Sequence, residues 1–477
     1  MKHRVEHVFR EWWSRPCGGS AVVALALPLV LSTASWTVMH FIDRVFLTWY
    51  SRDAIAAAMP AGLAHFLAIC LPLGIAGYVN TFVAQFYGAN ERERIGLVVW
   101  QGIFLGLLTV PLFWLSIFLA PVIFDLGGHV PSVRQLETEY FQAMSYGAGA
   151  VVTSAAMAAF FTGLGRSRVV MVTDMLAASL NVGLDYVFIF GYGVIPEMGI
   201  GGAGLATSIS QWVKVVVYGL IILRPMFCQT YHFKAGFRVD RPLLLRLLRY
   251  GGPNGIHVFI EVAVFTILTF QMGRLGELEL AATTIVFSVN SIAFVPMLGL
   301  GIAVSTMVGQ QLGGNNPGLA ERATWTALHL GIFYTGGMAA LYLLFPDVFL
   351  MAHAAGGSTD FDQLRNVCHV LLRFVAAYCV VDMVQIVFSS AIKGAGDTRF
   401  VLFVTAIWSP VPVFLGWLGL NYWDWTIDMF WWIVTIWIWL LSVVFLTRFY
   451  WGPWRQMRVI ETAKSAELSV ESLPDTV

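Results

Sequence analysis

Long apolar runs, each bounded by a few polar, glycine or proline residues, recur from one end of the chain to the other. A bilayer core takes about 20 apolar residues per helix. Twelve runs meet that length, at roughly 21–42, 55–82, 95–119, 140–162, 169–191, 202–223, 248–271, 281–308, 322–345, 367–392, 400–420 and 429–448. The pattern predicts an all-α integral membrane protein with twelve transmembrane helices. Between the fifth and sixth runs the break is a short glycine-rich turn that contains Pro196.

Sliding the chain on itself by 225 residues aligns Pro28 with Pro253, Leu73-Gly74 with Leu298-Gly299, Thr81 with Thr306, Gln85 with Gln310, Gly88 with Gly313 and Asn90 with Asn315. Farther on, an offset of 231 aligns Gly163-x-Gly165-x-x-Arg168 with Gly394-x-Gly396-x-x-Arg399. Pro, Gln, Asn and Arg recurring in one order point to an internal duplication. Each unit holds six spans, an even number. Both units therefore enter the membrane from the same side, related by an axis along its normal. The expected organisation is a lead-in over 1–20, a six-helix lobe over 21–223, a basic linker over 224–247, a second, pseudo-symmetric six-helix lobe over 248–450 and a largely disordered tail over 451–477. The stretch Pro242–Arg249 reads as an amphipathic segment on the membrane surface.

Composition narrows the class. Hydrophobic residues make up 58% of the chain and charged residues 12%, with a mean hydropathy of +0.73. A soluble domain carries about 25% charged residues, so a water-covered globule of this length is excluded. Lys+Arg and Asp+Glu both number 28, which leaves no net charge to attract nucleic acid. The five cysteines are scattered without metal spacing. Residues 1–20 lack a signal-peptide pattern. Lysine and arginine concentrate in the loops of one side, above all 224–249, while the other side holds only Arg44, Arg52, Arg134, Arg274, Arg365 and Arg373. The positive-inside rule then places both termini in the cytoplasm and the chain in the cell inner membrane. Tryptophans crowd the last span and its flanks, among them Trp431, Trp432, Trp451 and Trp454, and read as interfacial anchors.

A carboxylate near the bilayer centre costs about 2.5–3.5 kcal/mol or more. Asp43, Asp185, Glu261 and Asp382 fall in spans, each with polar company at helical spacing. His40 precedes Asp43 by three, Asn181 precedes Asp185 by four and His257 precedes Glu261 by four. Tyr378 precedes Asp382 by four and Gln385 follows it by three. Two readings stand open. In one, the acids are neutral hydrogen-bonding groups between helices, with Asp43 paired to Arg44 or Arg52. In the other, they couple an ion: a carboxyl in an apolar cavity takes up and releases a proton, or carboxylate, amide and phenol oxygens surround a hard cation such as sodium. Lys214, beside Gln211, is a cation inside a span that either neutralises a carboxylate or snorkels to the helix end. Asp174 is expected beside Arg166 and Arg168. Pro28 removes a backbone hydrogen bond and permits a helix bend. No P-loop and no GxSxG or HExxH motif is present, so neither ATP as energy source nor an enzyme is expected.

The chain resembles the multidrug and toxic compound extrusion family over roughly residues 15–455. The resemblance rests on ordered fragments: Gln85-x-x-Gly88-Ala89, Gly163-x-Gly165, Asn181-x-x-x-Asp185-Tyr186-x-Phe188-x-Phe190-Gly191, Gly201-Gly202-Ala203-Gly204-x-Ala206-Thr207, Gly251-x-Pro253 with Glu261, Gln310-x-x-Gly313 and Gly394-x-Gly396-Asp397-Thr398-Arg399. It implies two lobes around a central cavity, in which an amphiphilic organic cation exchanges for inward-moving Na+ or H+. It further implies that Asp43, Asn181, Asp185 and Thr207 form the polar cluster of the first lobe. Glu261, Tyr378 and Asp382 match the cation site of the second, which the resemblance implies takes Na+. Having both sets is most similar to the sodium-coupled bacterial branch. His257 and Lys214 have no counterpart in the family pattern. No cofactor is expected besides the coupling ion, and a monomer is expected because each lobe closes within one chain. The alternative function is a flippase for lipid-linked saccharide, which would favour cavity cations. A membrane enzyme using Asp43 or Glu261 as acid–base lacks a nucleophile or metal set.

Overall fold

In a computed structural model, residues 7, 10–125, 127, 129–351 and 361–461 are described. Twelve helices are long and apolar enough to cross a membrane. Spans 1 to 6 are Gly19–Tyr50, Arg52–Gly88, Glu93–Asp125, Pro131–Gly163, Ser167–Phe190 and Gly199–Ile222. Spans 7 to 12 are Arg241–Gly273, Glu277–Gly313, Pro317–Leu344, Asp362–Ala395, Thr398–Tyr422 and Ile427–Trp451. No β-strand occurs among the described residues. The chain is an all-α, multi-pass membrane protein.

The helices pack by the same scheme twice. In the first half span 3 lies on span 4, span 4 on spans 2 and 6, and span 1 on span 5. In the second half span 9 lies on span 10, span 10 on spans 8 and 12, and span 7 on span 11. Small residues bring the helices together, as lipid offers little hydrophobic drive for helix association. Gly204 faces Ala143, and Gly147 lies against Ser208, whose hydroxyl donates to the Ala143 carbonyl at 2.7 Å.

The halves meet through span 1 on span 8 and span 2 on span 7, a pseudo-twofold exchange. Gly74 abuts Gly255, and its repeat partner Gly299 abuts Val30, the repeat partner of Gly255. Toward the face where both termini emerge, here the terminal face, the contact is close. Gly88 leaves no room for a Cβ against the Gln310 carbonyl, nor does Gly313 against that of Gln85. Gln85 donates to the Gly394 carbonyl at 3.0 Å, and Gln310 donates to the Gly163 carbonyl at 2.8 Å. Asn90 and Asn315, just past these helix ends, both take φ of 60°. The repeat seen in sequence is thus a repeat in contacts.

Several expectations are corrected. Pro242–Arg249 is no separate surface segment; it begins the unbroken span 7. Asp240 caps that helix by accepting from the Leu243 N–H at 2.9 Å, and Pro242 sits in the first turn, where a missing N–H does no harm. The linker ahead of it packs down instead: the Trp100 indole donates to Phe233 O and Gln101 to Arg238 O, both at 2.9 Å. Residues 451–461 are not loose tail, since Trp454, Val459 and Ile460 are buried; residues 462–477 lie outside the described residues. Trp431 and Trp454 are fully buried core residues and not interfacial anchors, whereas Trp432 and Trp451 are exposed. Pro28 sits inside the unbroken span 1, near its crossing with span 8. The interruptions fall elsewhere, at Tyr78 in span 2 and at Ser409 ahead of Pro410 in span 11.

Candidate functional site

Spans 1, 5 and 6 bring Asp43, Asn181, Asp185 and Thr207 together. Asp43, Asn181 and Asp185 are buried at 2%, 0% and 0% exposure. The Asn181 amide is oriented by chemistry: its nitrogen, the donor, faces the two carboxylates. It donates to Asp185 Oδ2 at 3.1 Å and Asp43 Oδ1 at 3.2 Å, while its oxygen accepts from the Thr207 N–H at 3.2 Å. The Asp43 and Asp185 carboxyls thus share the Asn181 amide as donor, and two carboxylates held around one amide repel each other. His40 Nδ1 lies 3.5 Å from Asp43 Oδ2, with the ring set by an edge contact to Trp36. The pairing of Asp43 with Arg44 or Arg52 weighed above is absent among the described residues, where its ion-pair partner is His40. The arrangement can hold one proton, or one small cation, at membrane depth.

Spans 7 and 10 carry the second set. Glu261 Oε2 lies 3.4 Å from His257 Nδ1. Glu261 and Asp382 act on each other electrostatically, as do Asp382 and Tyr378. The Tyr378 ring stacks on buried Trp431 with centroids 6.5 Å apart. Gln385 is buried at the next turn of the same helix. Unlike the first cluster, this one is partly open: the Glu261 side chain is 35% exposed. The oxygens of Glu261, Tyr378 and Asp382 are the hard donors sodium takes. No group of three or more His, Cys, Asp and Glu side chains suited to a metal ion occurs among the described residues.

Lys214 is paired: its ammonium lies 3.2 Å from Asp174 Oδ1. Asp174 also accepts from the Ser32 hydroxyl of span 1. Asp174 thus turns to Lys214 of span 6 and not to Arg166 or Arg168; six positions from Arg168 is about 240° around the helix, a different face. Sequence reading missed Lys393, one residue past the apolar run 367–392. It is half-buried at the end of span 10, interacts electrostatically with Glu261, and its carbonyl accepts from the Tyr78 hydroxyl at 2.7 Å. The missed Asn80–Thr306 pair joins the halves at 3.0 Å. Its signal was the match of Thr81 with Thr306 at the repeat offset. Glu137, fully buried and 2.8 Å from His129, was missed because it precedes the apolar run taken as span 4.

The MatE family matches residues 28–187 and 253–418, more than half the chain and once in each half. The chain belongs to the MatE family. Solved relatives share the fold at low identity. One is a MOP superfamily transporter from Pyrococcus furiosus, for which a reversed polarity of the binding pocket was taken to suggest a different function; it has TM-score 0.81 and 21% identity, covering 94% of this chain and 97% of that one. An outward-facing multidrug resistance MATE family transporter has TM-score 0.81 and 20% identity over 93% and 96%. The eukaryotic MATE transporter AtDTX14 has TM-score 0.80 and 19% identity over 92% and 96%. The protein is a MATE family transporter, and the family is one of transporters rather than enzymes.

Proposed function

We propose that this MATE family transporter is a secondary antiporter that exports amphiphilic organic cations in exchange for inward-moving Na+ or H+. The two six-helix lobes rock about a central site, with both termini in the cytoplasm of an inner-membrane protein. The transporter works as a monomer, without ATP, nucleic acid or cofactor, and its partners are the lipid bilayer and small cationic substrates. The observation that carries this reading is the buried cluster of Asp43, Asn181, Asp185 and Thr207 on three helices of one half. Two carboxyls held around one amide are costly at membrane depth and gain a purpose as an ion-coupling site. Glu261, Tyr378 and Asp382 serve as a second coupling site in the other half, open to substrate or Na+. Lys214, already neutralised by Asp174, leaves little support for phosphate-bearing flippase substrates.

The test uses purified protein in liposomes with ethidium as substrate and separate sodium and proton gradients. Asp185→Asn is expected to lower gradient-driven flux about 100-fold, equal to roughly 2.7 kcal/mol of barrier, while ethidium still binds. Glu261→Gln is expected to lower it less, and to shift its dependence on the ion. Full flux in both folded variants would sink the coupling role.

A further inference from the structure

The segment after span 12 crosses from its own half to the other. It leaves Trp451 through a short turn, Pro453–Gln456. Trp454 is fully buried, stacked on Phe449 at 4.6 Å, and its indole donates to the Phe449 carbonyl at 2.6 Å. Arg455 pairs with Glu321 at the start of span 9 at 3.1 Å, and Arg458 donates to Asn315 at 3.3 Å. So far every partner belongs to the second half.

Val459 then reaches the seam. It is fully buried, and its N–H donates to Gln85 Oε1 of span 2 at 2.8 Å. The same Gln85 amide donates to the Gly394 carbonyl at 3.0 Å, so one side chain joins span 2, span 10 and the C-terminal segment. The Val459 side chain packs over Gly396, whose φ of +109° and lack of a Cβ make the room. Two residues on, the Glu461 carbonyl accepts from Arg94 of span 3 at 3.1 Å, and its carboxylate pairs with Arg246 of span 7. The segment following span 6 shows the contrast. Phe227 and Tyr231 pack on Phe160 within the first half, and Gly96 donates to the Tyr231 carbonyl.

We infer that residues 453–461 are a latch that holds the terminal face shut, and that this face opens only when the Val459 N–H leaves Gln85 and the Glu461 carbonyl leaves Arg94. The segment is covalently part of the second half and bonded to the first. Separating the halves at this face breaks those contacts and exposes Val459 and Ile460. The buried Val459–Gln85 contact carries the larger share. The Arg94–Glu461 contact is solvent-exposed and correspondingly weak. The latch rests on the alternating-access reading, since it needs the halves to part here.

The test is the distance between spin labels on Arg168→Cys and Arg399→Cys, repeat-related exposed sites at this face, in the full-length protein in lipid. The five native cysteines are buried. Val459→Pro deletes the N–H that Gln85 accepts from. It is expected to raise the long-distance, open population about tenfold, as loss of one buried hydrogen bond with its packing implies. Arg94→Ala removes the exposed guanidinium that donates to the Glu461 carbonyl across the halves, and is expected to give a smaller shift in the same direction. A shift in either variant supports the latch. Unchanged distances in both, with thermal unfolding near wild type, overturn it. Wild type measured with and without ethidium keeps the readings apart: a wild type that never changes distance defeats alternating access, whereas one that moves while both variants match it defeats only the latch.

Discussion

The two halves share a packing scheme and differ in their chemistry. In the first half Asn181 locks two carboxyls and a backbone N–H into one buried set. In the second, Glu261 is one-third exposed, His257 is at 3.4 Å, and Lys393 acts from the end of span 10. Duplication preserved what the helices need in order to pack, which is small residues and seam glutamines. The first site is therefore the closed one, and the second is partly open at Glu261.

That contrast can be broken by removing one polar group from each set. Asn181→Leu strands two buried carboxyls and is expected to cost about 2–3 kcal/mol, read as a lower midpoint of thermal or denaturant unfolding in detergent. Tyr378→Phe in the second half is expected to cost under about 1 kcal/mol, since the ring and its stacking on Trp431 remain. Equal costs would mean the second cluster is as tightly knit as the first.

The seam sharpens it at smaller scale. Gln85 and Gln310 occupy equivalent places, but only Gln85 also accepts from the C-terminal segment. Gln85→Ala is expected to exceed Gln310→Ala by about 1 kcal/mol, one hydrogen bond's worth, in the same unfolding assay. Identical values would leave the Val459 contact without weight.

The smallest effect lies on the face opposite the termini. In the first half Asp125 pairs with Arg134; in the second, Asp347 is held by Arg365 at 2.5 Å and His369 at 2.8 Å. The Arg365 guanidinium, and then His369, hold the Asp347 carboxyl well below its usual value of 3.8. A depressed carboxyl stabilises the fold above its unfolded value, and that contribution is lost as pH falls through the folded one. Asp347→Asn is thus expected to lower Tm by no more than about 1–2 °C, as for a surface pair, with the deficit still present at pH 5 and vanishing only in strong acid. A deficit already lost by pH 5 would assign the effect to another group.

The sequence by itself determined the membrane class, the twelve spans and the duplication, because hydropathy and a fixed repeat offset are local, additive signals. It also placed each carboxylate on a helix face with its Asn, His or Tyr companion, because spacings of three and four are intrahelical geometry. Only the tertiary structure decided which faces meet. It turned Asp174 to Lys214, Lys393 toward Glu261, and Val459 to Gln85 across hundreds of residues. Buried Trp431 and Trp454 show the same limit, since a tryptophan at a span end reads alike whether lipid or protein covers it. The physical reason is that pairing across helices depends on the rotation and depth of each helix against its neighbours, which the packing of the whole bundle sets.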